Sequence, residues 1–235
     1  IIGMASKNAT DGLFELLKRL KSTHNNTEYL LLTNGRAFFN DEYVSNFMES
    51  IPDFFKVAIP LHSSIPELHD KITQSKGSFI QTTRGIYQLL KKRIYVEIRI
   101  VVSNLNINDI FNIAKFIVRH YSNVNVVNFV GLEMLGSAAV NFNDVWIPYT
   151  QAFNQIKASI DFLVQNNIDV VIYNFPLCSV DSAYWNICKK SISDFKIQYC
   201  DICSACKIAN KCGGVFSGTL RYAKRDLKPI EEQIC

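Results

Sequence analysis

Cys203, Cys206 and Cys212 place three thiols within ten residues, in a C-x2-C-x5-C run followed by Gly213 and Gly214. A C-x2-C loop lets two thiolates reach one metal without strain, and the paired glycines let backbone approach closely. Thiolates suit zinc or an iron–sulfur cluster, and spacing alone does not separate the two. Such spacing seldom arises by accident, so the three are read as a metal site rather than as scattered buried thiols. Cys178 is expected as the fourth ligand, with Cys200 as its rival. Cys188 falls in a stretch expected to be helical and reads as a small buried hydrophobe. Cys235 is terminal and expected to be free.

The chain that must position these thiols has 235 residues, 48% hydrophobic and 20% charged, enough for one large domain or two small ones with a substantial core. All seven cysteines lie in the last quarter, so the preceding residues must fold without disulfides. A reducing cytoplasm and metal chemistry follow as the expectation. A net charge of +4 is too mild to argue for nucleic acid. No apolar run approaches the roughly 18 residues of a membrane-spanning helix, so no membrane partner is expected. The opening Ile1-Ile2-Gly3-Met4 has neither an initiator Met nor a signal-peptide pattern; it reads as the end of a buried strand, in a fragment or mature form lacking an upstream segment.

Apolar positions Leu13, Leu16, Leu17 and Leu20 mark a helix capped near Thr10 or Asp11. Strands are expected at 29–32, closed by Thr33-Asn34-Gly35, and at 55–59, stopped by Pro60. Helix 79–92, strand 95–102, helix 108–119, strand 124–130, helix 151–166 and strand 169–173 follow. Strands apolar on both faces, alternating with helices, are the signature of parallel β/α units. Ligands in such folds sit at the C-terminal edge of the strands, here Gly3, Asn34, His62, Ser63, Ser103, Asn104, Met134 and Asn174. Regular periodicity gives way near Cys178.

Several segments carry a resemblance. Leu32-Thr33-Asn34-Gly35, and Ile59-Pro60-Leu61 with His69-Asp70 and Lys76-Gly77-Ser78-Phe79, resemble radical SAM enzymes. Gly131-Leu132-Glu133-Met134-Leu135-Gly136, Ser191-Ile192-Ser193-Asp194-Phe195 and Cys203 to Gly214 resemble, more narrowly, the C-type maturase of the His-Xaa-Ser peptide system. The resemblance implies an α/β fold, a partial (β/α)6 TIM-like barrel lacking its N-terminal part, over residues 1–174. A small irregular Cys-rich extension over 175–235 would hold an auxiliary [4Fe–4S] cluster through Cys178, Cys203, Cys206 and Cys212. It further implies S-adenosylmethionine as cofactor, 5′-deoxyadenosyl-radical chemistry, a ribosomally made His-Xaa-Ser repeat peptide as substrate, and a companion maturase as a possible partner.

Residue by residue, the resemblance places the cofactor against Gly3, Asn34, His62, Ser63, Arg99 and Met134. Each has a plainer reading. Gly3 and Asn34 are then turn residues, His62 a loop histidine and Met134 core filling. Arg99, on a strand, must be paired or face an anion such as the cofactor carboxylate; its plainer partner is Glu97 or Glu133. His69 and Asp70 are expected to cap or start a helix.

The chain departs from the family pattern twice. The C-x3-C-x2-C triad that would hold the catalytic cluster is absent and is expected upstream of Ile1; without it no residue is assigned a catalytic role and this chain alone is expected to be inactive. Met4 stands where the family has a Glu that meets the cofactor's ammonium group. Two other readings are a non-catalytic zinc-stabilised binding module and a pseudoenzyme that escorts a maturase.

Overall fold

The alternation of apolar runs and amphipathic stretches becomes a parallel sheet with helical crossovers. A computed structural model describes residues 2–3, 10–190 and 196–231; expectations for Met4, for Ser191 to Phe195 and for Cys235 lie outside the described residues. The first half runs β1 (Ile2–Gly3), α1 (Thr10–Thr23), β2 (Tyr29–Leu32), α2 (Asp41–Ser50), β3 (Phe55–Pro60), α3 (Pro66–Thr73), α4 (Ser78–Lys91) and β4 (Tyr95–Val102). The second continues with α5 (Ile110–His120), β5 (Val126–Gly131), α6 (Ser137–Val140), α7 (Phe142–Val145), α8 (Tyr149–Gln165), β6 (Asp169–Tyr173), β7 (Cys188–Lys189), β8 (Ile197–Gln198), β9 (Val215–Phe216) and α9 (Leu220–Ala223). Strands β1 to β7 follow one another in chain order in one sheet, while β8 and β9 form a separate antiparallel pair. Among the described residues no helix is long and apolar enough to cross a membrane.

By compactness the chain divides into two units, Ile1–Arg99 with Lys115–Val127, and Ile100–Ala114 with Asn128–Cys235. In the first, β1, β2, β3 and β4 pair in parallel. Strand β4 alternates: Val96 and Ile98 are fully buried while Tyr95, Glu97 and Arg99 are half-buried. Leu13 and Leu17 of α1 are buried, whereas Leu16 is 42% exposed because it lies on the flank of the apolar stripe. In the second unit, Ala152, Phe153, Ile156, Ile160 and Leu163 form the buried stripe of α8.

Helices α2 and α3 lie where periodicity marked nothing. Each begins on a local signal instead: Asn40 Oδ1 accepts from the Tyr43 N–H at 3.0 Å, and Pro66 opens α3. His69 and Asp70 do not start a helix; they lie inside α3. Asp70 caps the helix that follows, taking hydrogen bonds from Gly77 N at 2.5 Å, Ser78 Oγ at 2.8 Å and Phe79 N at 2.8 Å.

Candidate functional site

Cross-strand register sets a charged pair on one face of the sheet in the first unit. Gly3 pairs with Leu32, Leu32 with Ala58, and Ala58 with Glu97, so the four form one row on one side of the sheet. Arg99, two residues further along β4, points to the same side, and its Nη2 lies 3.3 Å from Glu97 Oε2. The two side chains are only 21% and 13% exposed, which strengthens the pair relative to one in open water. Lys56 on β3 adds a cation, held 2.8 Å from Glu28 and 4.8 Å from the Tyr95 ring centre. Its ammonium is pushed above the usual range by the Glu28 hydrogen bond. Sequence reasoning named Arg99 here but not Lys56; the signal was the alternation Tyr95, Glu97, Arg99 within a strand otherwise rich in Val and Ile.

The loops beyond these strands hold the other residues expected at the cofactor. Asn34 is exposed; its Oδ1 accepts from Arg36 N at 3.1 Å and its carbonyl from Thr82 Oγ1 at 3.1 Å. Gly35 has φ +75°, and a Cβ on Gly85 of α4 would lie 2.2 Å from the Gly35 carbonyl, so the turn and the helix meet backbone to backbone. After β3, the Leu61 N–H bonds the Arg99 carbonyl at 2.9 Å. Ser63 is fully buried and its Oγ accepts from Ile65 N at 2.9 Å. The His62 N–H points at His69 Nδ1 at 3.3 Å, with ring centres 5.4 Å apart. Burial holds both imidazoles near a pKa of about 4, with mutual repulsion adding at His62, so both are neutral at pH 7.

Met134 belongs to the second unit. Its side chain is fully buried, and its N–H is bonded to Thr219 Oγ1 at 3.0 Å.

The thiols also lie in the second unit. Beyond β6 the chain turns through Leu177–Ser179, which carries Cys178; Trp185 Nε1 locks this turn by donating to the carbonyls of Leu177 at 3.1 Å and Val180 at 2.9 Å. Cys178 thus follows β6 in a 3-10 turn. A second 3-10 turn, Asp201–Ala205, carries Cys203. Cys178, Cys203, Cys206 and Cys212 line one small apolar pocket, walled by Leu177, Ile208, Val215 and Leu227. Backbone donors reach the sulfurs: Leu177 N and Gly214 N both lie 3.4 Å from Cys212 Sγ, and Ile230 N lies 3.5 Å from Cys206 Sγ. Gly214 must be glycine, since its φ is +63° and a Cβ would sit 2.5 Å from Ile197.

Burial pushes the Cys178 thiol up, opposed by a backbone hydrogen bond from Lys228 and reinforced by Cys212 and Cys203. Burial does the same at Cys203. A coordinated metal reverses this order by deprotonating the thiol outright. Among the described residues no three His, Cys, Asp or Glu side chains converge as a single ion would require; the four thiols surround a space instead. That donor set, with its apolar walls and amide donors, could hold a thiolate-ligated centre.

Cys200 lies outside this cavity, in a shallow depression with Lys190, Cys203 and Asn210. Cys188 is not helical: the 3-10 segment ends at Ile187, and Cys188 pairs with β6 as the start of β7. It packs against Leu177, Ile208 and Cys212, and burial pushes its thiol up to about 12.

Comparison with protein-family models and with curated proteins finds no match. Solved structures do match. The chain is similar to a domain of pyruvate-formate lyase-activating enzyme from Bacteroides vulgatus ATCC 8482, at 15% identity and TM-score 0.56 over 73% of this chain and 97% of that one. It is similar to Streptococcus suis SuiB at 11% identity and TM-score 0.56, over 77% of this chain and 40% of SuiB. With anSMEcpe carrying bound AdoMet it shares 19% identity and TM-score 0.52, over 69% of this chain and 46% of that one. The chain thus spans less than half the length of SuiB and anSMEcpe. It has the α/β fold of these proteins, with a parallel sheet consistent with a partial (β/α) barrel.

Proposed function

We propose that this chain supplies the cofactor-facing barrel strands and the auxiliary-cluster segment of a radical SAM peptide maturase, acting in the cytoplasm on a ribosomally made His-Xaa-Ser repeat peptide, alone or with a companion maturase. The observation that carries the reading is the thiol cavity, in which Cys178 and the Cys203, Cys206, Cys212 run line one apolar space. The parallel fold supports it, as do the S-adenosylmethionine bound in structures of SuiB and anSMEcpe and the peptide bound in one of anSMEcpe.

In this reading Cys178, Cys203, Cys206 and Cys212 hold a [4Fe–4S] cluster, which when bound supplies one-electron chemistry at a potential set by burial and by hydrogen bonds to sulfur. The amides of Leu177, Gly214 and Ile230 would donate to the ligating sulfurs of Cys212 and Cys206. Leu177, Ile208, Val215 and Leu227 exclude water from the same space. Arg99 meets the carboxylate of S-adenosylmethionine, and Glu97 holds the guanidinium in place for it. Gly3, Asn34 and His62 would face the rest of the cofactor at the strand ends, while Ser63 and Met134, both fully buried, would contribute only through the loops they hold. No C-x3-C-x2-C triad occurs in the sequence, so radical generation is assigned to none of these residues.

Binding tests the reading. The chain is expected to bind S-adenosylmethionine in calorimetry and to bind a fluorescent His-Xaa-Ser repeat peptide more tightly than its scrambled counterpart. Binding of neither would contradict it.

A further inference from the structure

We infer that residues 215–228 form a strap coupling the thiol cavity to the loop after β5, with Thr219 as its positioning residue. The inference rests on the proposed metal-binding role of that cavity.

Both ends of the strap line the cavity: Gly214 and Val215 leave it, and Leu227 and Lys228 return to it. Between them the chain grips residues 132–150 at four successive points. A Cβ on Gly218 would lie 2.6 Å from the Leu135 side chain, so the strap backbone rests directly on that loop. Thr219 is fully buried, and its Oγ1 donates to the Leu132 carbonyl at 3.1 Å while accepting from the Met134 N–H at 3.0 Å. The Tyr222 ring stacks on Phe142 at 4.7 Å, and Phe142 stacks in turn on Trp146 at 6.2 Å. Asp226 Oδ2 accepts from Thr150 N at 3.0 Å, in the first turn of α8.

The gripped loop has little order of its own. Helices α6 and α7 are four residues each, far below the length at which a helix holds itself together in water, and neither contributes a buried residue. Val140 is 84% exposed and Leu135 56%. The loop's conformation is therefore set from outside: by the strap, whose two ends belong to the cavity wall, and by Asn104, whose N–H and Nδ2 donate to the Val145 and Asp144 carbonyls at 2.9 and 3.3 Å. Ordering that wall orders the strap, and the strap orders the loop; the coupling is carried by conformational entropy along a continuous chain of contacts. The loop leaves the C-terminal end of β5, where a β/α fold receives its ligand, so loading of the thiol cavity governs how that ligand-facing loop is held.

Hydrogen exchange tests this on the whole chain, before and after anaerobic reconstitution with iron and sulfide, with iron counted in the same samples. Loading is expected to slow exchange over 132–146 at least tenfold while leaving α4 unchanged. Thr219→Val, which keeps the volume and removes both bonds, is expected to bind iron as the wild type does but to lose the response; Thr219→Ser should restore it. Tyr222→Ala, at a less buried position, should weaken the response at least threefold even if the valine variant does not fold. Full iron content with unchanged loop exchange, or a valine variant that responds like the wild type, would overturn the coupling and leave the cavity reading intact. A chain that takes up no iron would overturn both.

Discussion

The backbone N–H of Leu177 donates to the sulfur of Cys212 at 3.4 Å, across 35 residues of chain. Cys178 is the next residue, so this one bond fixes where the thiol that follows β6 enters the cavity relative to the Cys203, Cys206, Cys212 run. The bond strengthens when Cys212 becomes a thiolate, because a charged acceptor roughly doubles a hydrogen bond. Backbone geometry thereby sets Cys178 against that run.

Cys178→Ala and Cys200→Ala separate the two thiols that sequence spacing left as rivals. Iron bound after reconstitution is expected to fall by half or more in Cys178→Ala and to match the wild type in Cys200→Ala, whose side chain lies outside the cavity. The reverse order would move the fourth ligand to Cys200.

Arg99→Ala removes the cation that Glu97 holds at 3.3 Å. A hydrogen bond to a charged group contributes about 1.5–3 kcal/mol, so S-adenosylmethionine binding by calorimetry should weaken roughly 10- to 100-fold. Arg99→Lys should recover only part of it, since an ammonium lacks the planar fork that meets a carboxylate with two bonds. Unchanged affinity in Arg99→Ala would assign the pair to the sheet alone.

Stability should fall as pH drops from 6.5 towards 4. His62 and His69 titrate near 4 when folded and near 6.5 when unfolded, so below 6.5 the unfolded chain binds more protons. Their contribution is complete above that pH and is lost on the way down. For His69, 1% exposed, the loss reaches about 3 kcal/mol at about 1.4 kcal/mol per pH unit. Asp70, held below the usual carboxylate range by the Phe79 N–H and the other bonds of its cap, adds a further loss in the same direction under pH 3.8. Urea midpoints at pH 7 and pH 4.5 check this; His69→Gln should flatten the difference, and equal midpoints in the wild type would contradict it.

Two helical glycines should respond oppositely to alanine. At Gly85 a Cβ would lie 2.2 Å from the Gly35 carbonyl, so Gly85→Ala should cost about 1–3 kcal/mol through forced backbone movement. At Gly12 nothing lies within 4 Å, and Gly12→Ala should stabilise by about 0.5–1 kcal/mol through chain entropy alone. Denaturation midpoints that shift the same way would contradict the packing of α4 on the β2 turn.

The strands and long helices were legible because burial imposes a period on many residues at once, as in β4 and α8. Helices α2 and α3 were not, because few of their residues are buried and their starts depend on Asn40 and Pro66. Three thiols could be read from one run since their spacing is local. Cys178 was named from the sequence only with Cys200 as its rival, and Lys56 and Thr219 were not named at all. Their roles depend on partners that only folding brings near, and Thr219 meets Met134 across 85 residues. The buried His69 looked like a helix signal because sequence shows a residue's type and not its depth.

The most direct test is the iron, sulfide and zinc content of the chain, purified and reconstituted without oxygen, read with its visible spectrum. About four iron and four sulfide per chain, with charge-transfer absorption, is the result expected of a [4Fe–4S] cluster in the thiol cavity. One zinc per chain, with no such absorption even after reconstitution, would contradict that reading and make the cavity a structural zinc site.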